Sequence, residues 1–342
     1  MDRYEVEEEP REGVEPFSSP LPLSGIARLA AESDLAVEKN DVQYFSLPSK
    51  SILNRCSNPS MPFEWTINPY RGCEFGCKYC YARYTHEFME LRNGVDFERK
   101  IYAKEEAART LRRELTPHRV KDAVIALGTA TDPYQPAERE FKVTRQILKT
   151  LSMTRGVSLS IATKSNLVLR DLDLLKEVSK NNRVRVSLSI TTTDERMARL
   201  LEPRAPRPIL RFKAVQTLVE NGISAGVFMM PLLPEITTFA ENMESVVRDA
   251  AHARAEYLFA GVVFLMPSAQ AQFFPFLEDH FPDLAKRYRR LFSRSAYLPE
   301  DYTKRIQEKV HRLREKYGIP HASHLKAESH EEAAQQLELG FV

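Results

Sequence analysis

The chain holds no apolar run of eighteen residues, no marked excess of either charge and only four cysteines among its 342 residues. Without the long run there is no candidate for a membrane-spanning helix. The most apolar stretches, 222–234 and 258–267, are too short and are broken by Gly and Pro. Basic and acidic residues number 49 and 47, a net charge of +2. That balance argues against a chain that coats nucleic acid, although a local basic patch stays open. The start, Met1-Asp2-Arg3-Tyr4-Glu5 followed by Glu7-Glu8-Glu9, lacks the basic and apolar regions of a secretory signal. A cytoplasmic location is therefore expected, where four cysteines read as ligands or buried thiols rather than disulfides. No internal repeat is visible.

What is present is a globular composition, 43% hydrophobic and 28% charged, on a chain long enough to bury a large core. Residues 1–45, rich in Glu, Pro and Ser, read as a mobile N-terminal extension with one short amphipathic helix at 26–35. From Trp65 onward β-prone runs at 65–68, 123–127, 158–163, 184–190, 224–230 and 257–264 alternate with helical periodicity at 104–115, 141–152, 172–178, 209–220 and 240–254. Near-continuous apolar strands alternating with helices indicate an α/β fold, a parallel sheet covered by helices. The pattern suits an open doubly wound sheet or a barrel. Two charged helices, 281–293 and 299–317, are expected after it. The expected division is an extension over 1–45, a core domain over 46–267 and a helical C-terminal extension over 268–342.

Three of the four cysteines fall in Asn68-Pro69-Tyr70-Arg71-Gly72-Cys73-Glu74-Phe75-Gly76-Cys77-Lys78-Tyr79-Cys80, spaced C-x3-C-x2-C. Three thiolates so close repel unless something electropositive holds them. A zinc site would need Cys56 or His86 as a fourth ligand. Buried thiols that meet by chance are a second alternative. A [4Fe–4S] cluster with three protein ligands is the favoured reading, because the missing thiolate leaves one iron open to a small molecule.

This spacing, with an aromatic before the last cysteine and a strand before the first, resembles the radical S-adenosylmethionine (SAM) superfamily. The surrounding Trp65-Thr66-Ile67-Asn68-Pro69-Tyr70, Tyr81-Ala82-Arg83, Gly128-Thr129-Ala130-Thr131-Asp132-Pro133-Tyr134-Gln135-Pro136 and Leu201-Glu202-Pro203-Arg204-Ala205-Pro206 resemble its spore-photoproduct-lyase-like members. The resemblance covers residues 50–267 and implies a (β/α)6 partial TIM barrel with its ligands at the carboxyl ends of the strands. It implies a [4Fe–4S] cluster on Cys73, Cys77 and Cys80, with the open iron chelated by SAM. It implies reductive cleavage of SAM to a 5′-deoxyadenosyl radical that takes hydrogen from a substrate, nucleic acid being one candidate. A flavodoxin- or ferredoxin-like electron donor is implied as partner, and no membrane.

By the same resemblance Tyr79 lies near the adenine, Thr131 and Asp132 meet the methionyl amino group, Lys164 meets its carboxylate, and Ser189 touches the cofactor. Tyr134 and Arg204 are weak candidates for a part in the chemistry. The resemblance departs at Thr129, which stands where the lyase carries its hydrogen-donating cysteine, and that argues against spore photoproduct lyase activity itself. The alternative function is a non-catalytic zinc- or iron–sulfur-binding protein.

Overall fold

The computed structural model describes residues 23–320 apart from 60, 92, 117–119 and 121. Its strands are β1 (Leu35–Lys39), β2 (Val42–Ser46), β3 (Leu53–Arg55), β4 (Trp65–Ile67), β5 (Tyr70–Arg71), β6 (Lys100–Ala103), β7 (Val124–Leu127), β8 (Ser158–Thr163), β9 (Arg183–Ser189), β10 (Ser224–Leu232) and β11 (Leu258–Val262). The larger sheet runs in the order β11-β10-β9-β8-β7-β4-β3. From β4 to β11 every neighbour is parallel, and β3 closes the β4 edge antiparallel.

Alternation along β8 shows why the sheet has two unlike faces. Leu159, Ile161 and Thr163 are buried, whereas Ser158, Ser160 and Ala162 stay partly open. The apolar face packs under helices, and fully burying each Val or Leu there is worth about 1.5–3 kcal/mol. Helix Pro208–Glu220 is one such cover, burying Phe212, Ala214, Val215 and Leu218. Pro208 at its first turn needs no amide partner there, and Gly222, at φ +76°, follows its end. The opposite face, which carries Ser160, Ala162 and Ser187 beside Arg185, Phe228 and Phe259, is the inner wall of a six-stranded partial TIM barrel.

The expected mobile extension over 1–45 is corrected for the part that is described. Gly25–Ala31 is a helix, β1 pairs with β2, and β2 pairs in parallel with β6 in a second sheet ordered β1-β2-β6-β5. Val42 and Tyr44 are buried in the main core. Two apolar residues in a charged neighbourhood gave too short a period to read as a strand. Residues 1–22 lie outside the described residues.

Helices Pro267–His280, Pro282–Leu291 and Glu300–Tyr317 follow the last strand. The first was missed because Pro275 reads as a breaker. These helices do more than cap the domain. Phe273, Phe276, Leu277, Tyr288 and Phe292 share one apolar cluster with Cys73, Phe75, Cys77 and Tyr79.

Candidate active site

The cysteine loop leaves the carboxyl end of β4, the end at which barrel folds place their ligands. Gly72 has φ +80°, and a Cβ there would stand 2.8 and 2.9 Å from the carbonyl oxygens of Lys100 and Phe97. Only glycine fits. Backbone bonds then pin the loop on both sides: Cys73 N to Phe97 O at 2.9 Å, Lys78 N to Leu201 O at 2.9 Å, and Arg204 N to Phe75 O at 3.2 Å.

Burial raises the pKa of all three thiols, that of Cys77 to about 12, with Lys164 pulling Cys77 and Cys80 the other way. Cys73 also feels Cys77 and Cys80, and Cys77 feels Cys80, so the three form one electrostatic unit. Only a strongly electropositive guest would deprotonate them together. Among the described residues no three His, Cys, Asp or Glu side chains converge closely enough for a single ion.

Neither suggested fourth ligand faces this loop. Cys56 follows β3, where Arg55 pairs with Trp65, so it lies at the opposite end of β4. Its amide donates to Glu64 O at 2.7 Å. His86 is 2% exposed and sits with Nε2 3.1 Å from Lys100 O. Burial lowers its pKa from 6.5 to about 4, so the ring is neutral and Nε2 carries the donated proton. An unfolded chain therefore takes up a proton between pH 6.5 and 4 that the folded chain refuses. Stability is expected to fall by about 3 kcal/mol across that window, and His86→Phe should flatten the slope in urea titrations at stepped pH.

Beside the cysteines lies a buried ionic group. The Glu202 carboxylate is 1% exposed; it accepts from the Tyr79 hydroxyl, pairs with Arg211 Nη1 at 2.5 Å and lies 3.9 Å from Lys164 Nζ. Burial opposes the Glu202 charge, but Arg211 and Lys164 outweigh it and hold the pKa below the usual carboxylate value. Burial likewise opposes the Lys164 ammonium, yet Cys77 and Glu202 lift its pKa. The Lys164 Nζ also stands 5.8 Å from the centre of the Tyr79 ring. Asp132 also acts on Lys164 and on Cys73, so two carboxylates and two cations stand beside the thiols.

The expected cofactor residues are brought to one end of the barrel, but several are already engaged. Asp132 accepts from Thr163 Oγ1 at 2.6 Å, Lys164 N at 2.7 Å and Tyr134 N at 2.9 Å. Thr131 donates to Gly72 O at 2.6 Å and accepts from Gln135 Nε2 at 2.9 Å. Thr131 thus ties its strand end to the cysteine loop, whereas Asp132 ties the end of β7 to the end of β8. Ser189 closes β9, and its carbonyl accepts from Arg211 Nη1 at 2.9 Å.

Two candidates move away from chemistry. Tyr134 is 1% exposed and belongs to the main core cluster rather than the cysteine cluster. Its loop turns the ring inward toward the buried side of the sheet. Arg204 is exposed and holds the cysteine loop from outside, 3.4 Å from both Glu74 O and Glu98 O. The partner of Glu202 is Arg211, not Arg204.

Arg211 was not singled out from sequence. Its signal was there: with Val215 and Leu218 it forms an i, i+4, i+7 stripe on a covered helix, a charge where only apolar residues are expected. Glu74 and Gln135 were passed over as well. Glu74 accepts from Tyr44 OH at 2.9 Å and Ala137 N at 2.7 Å, and its amide donates to Gln135 Oε1 at 3.0 Å. Gln135 Nε2 reaches Gly72 O at 3.0 Å. No local pattern marks such long-range partners. Glu138, read as a helix starter, does accept from Thr144 N and Arg145 N at the next helix, and it also takes the Tyr70 hydroxyl.

A six-stranded parallel partial barrel with three cysteines at its carboxyl mouth defines a class, the radical SAM fold. A family profile described as the Radical SAM superfamily matches residues 67–249. An uncharacterized protein of Mycobacterium tuberculosis is 33% identical over 314 residues, 91% of this chain and 92% of that protein. An uncharacterized protein of Methanocaldococcus jannaschii is 30% identical over 242 residues, 71% of this chain and 85% of that one. The structure of spore photoproduct lyase complexed with a dinucleoside spore photoproduct aligns with a TM-score of 0.60 at 14% identity, covering 80% of this chain and 79% of that chain. The chain belongs to the radical SAM superfamily. The superfamily's cofactors, a [4Fe–4S] cluster and SAM, are those the grouped thiols and the protonated Lys164 fit. No helix among the described residues is long and apolar enough to cross a membrane.

Proposed function

We propose that the protein is an enzyme that uses SAM to abstract hydrogen from a substrate held at the carboxyl mouth of the barrel. The grouping of Cys73, Cys77 and Cys80 beside the Lys164–Glu202–Arg211 charges carries this reading. When bound, the cluster and SAM supply an electron and an adenosyl radical; the protein supplies position and shelter.

In this reading Cys73, Cys77 and Cys80 are the cluster ligands. Lys164 and Ser189, at the ends of adjacent strands, face the cofactor, and the lysine stays protonated to meet a carboxylate. Tyr79, Thr131 and Asp132 act by positioning: Tyr79 fixes Glu202, Thr131 fixes the cysteine loop, and Asp132 fixes the turn that carries Lys164. An electron donor of the flavodoxin or ferredoxin kind supplies the electron.

A base-bearing substrate, single-stranded nucleic acid, is favoured by an aromatic ladder that starts one residue beyond the last cysteine. Tyr81 meets Phe264 at 4.9 Å between ring centroids, and Phe264 stacks on Tyr297 at 5.5 Å. Tyr297 is 64% exposed, and an exposed ring backed by stacked rings is a platform for a base. The dinucleoside in the spore photoproduct lyase complex supports the same substrate class.

The test is anaerobic loading with iron and sulfide, then reductant and SAM, with and without an oligonucleotide. The expected product is 5′-deoxyadenosine, and oligonucleotide binding should weaken with salt. Zinc in the site, or no 5′-deoxyadenosine from a fully loaded cluster, would sink the enzyme reading. No binding at low salt would remove nucleic acid as substrate.

A further inference from the structure

The small sheet has a charged site on the face turned away from the main core. Tyr70 pairs with Ala103 and Arg71 with Tyr102 in the antiparallel β5–β6 ladder, and Lys104 N continues it by donating to Pro69 O at 3.1 Å. Side chains alternate, so Tyr70 and Ala103 enter the main core, while Arg71, Tyr102 and Lys104 share the other face. Arg71 and Lys104 are then diagonal neighbours, close enough for two long side chains to meet one guest.

Neither side chain takes part in an ion pair among the described residues. Lys104 is 7% exposed, and its ammonium makes no hydrogen bond or ion pair among the described residues. The Arg71 Nε is buried with no partner, and its Nη1 reaches Thr85 O only at 3.4 Å. Next to them, Nδ1 of His86 is also buried without a partner. The acid that acts on Lys104 is Glu114, whose carboxylate already accepts from Ile52 N and Leu53 N at 3.0 and 2.8 Å. Burial and the charge of Arg71 push the Lys104 pKa down to about 7.

A water molecule could satisfy the hydrogen bonds here but not the charge. Buried cations are ordinarily paired, and an unsatisfied buried group calls for a missing ion or solvent. We infer that Arg71 Nε and Lys104 Nζ together bind a small tetrahedral oxyanion of the phosphate type on the outer face of the β5–β6 ladder. Arg71 directly precedes Gly72 and Cys73, so an occupied site would also steady the entrance to the cysteine loop. The inference does not depend on what the cysteines hold.

The test uses the full chain, melted in sodium phosphate, sodium acetate or sodium chloride at equal ionic strength. The expected result is a melting temperature that climbs with phosphate concentration above the chloride value, together with broadening of the phosphate 31P resonance. Lys104→Met should lose both responses. In chloride it should melt higher than the parent, because an uncompensated buried charge has been removed. Equal melting in phosphate and chloride, stabilisation by acetate alone, or a full phosphate response in Lys104→Met would each overturn the inference. Should Lys104→Met fail to fold, absence of 31P broadening with the parent chain overturns it by itself.

Discussion

Anaerobic loading of Cys77→Ala with iron and sulfide is expected to leave no cluster absorbance and little bound iron, whereas Cys56→Ala should load like the parent chain. The two residues differ in place before they differ in chemistry. Cys77 is 8% exposed within the apolar cluster that surrounds the loop, and it feels Cys80, Glu202 and the Lys164 ammonium. Cys56 sits beyond β3, at the other end of β4, with its thiol 3.8 Å from Asn58 O. A cluster with three protein thiolates has none to spare, since loss of one leaves a second iron unanchored. Iron and sulfide analysis per chain reads the result. Equal losses in the two variants would make Cys56 a ligand and send the assignment back to a four-cysteine site.

The second large effect is expected from the Glu202–Arg211 pair. Both side chains are 2% exposed or less, and Arg211 also donates to Pro206 O at 2.7 Å and Ser189 O at 2.9 Å. Removing one partner of a buried pair strands the other charge, which typically costs about 3–5 kcal/mol. Arg211→Met should therefore shift the urea midpoint strongly downward. Glu202→Gln should also destabilise the chain, through loss of the acceptor shared by Arg211, Lys164 and the Tyr79 hydroxyl. The double variant Glu202→Gln/Arg211→Met is expected to recover part of the loss, so that the two single effects do not add. Strict additivity would show that the two residues act separately. Because Lys78 N bonds Leu201 O, one residue from Glu202, both single variants should also load the cluster less completely.

The six barrel strands were legible because β-prone runs recur between turn residues with helical periodicity between them, and their partners follow in sequence order. The cysteine loop was legible because metal chemistry restricts residue type and spacing together. The short strands of the second sheet were not, since β5 spans Tyr70–Arg71 and β2 depends on a parallel partner 57 residues away. At the site, the strand-end rule singled out Thr131, Asp132, Lys164 and Ser189, which follow or close β7, β8 and β9. It could not tell an open side chain from one already engaged, which is why Asp132 read as a ligand while it was holding Thr163, Lys164 and Tyr134. The Glu202–Arg211 pair was not legible, because a sequence shows separation along the chain and not the turn of helix that brings Arg211 around.

The Tyr44–Glu74 bond gives the beginning of the chain an unexpected reach. Tyr44 lies in β2, its hydroxyl holds a carboxylate next to Cys73, and that carboxylate also holds the amide of Ala137. The first sheet is thus a lever whose short arm ends beside the first cysteine. A shortened chain that begins after Ser46 would keep every barrel strand and every cysteine, yet it would behave as an altered cysteine loop rather than as a trimmed terminus.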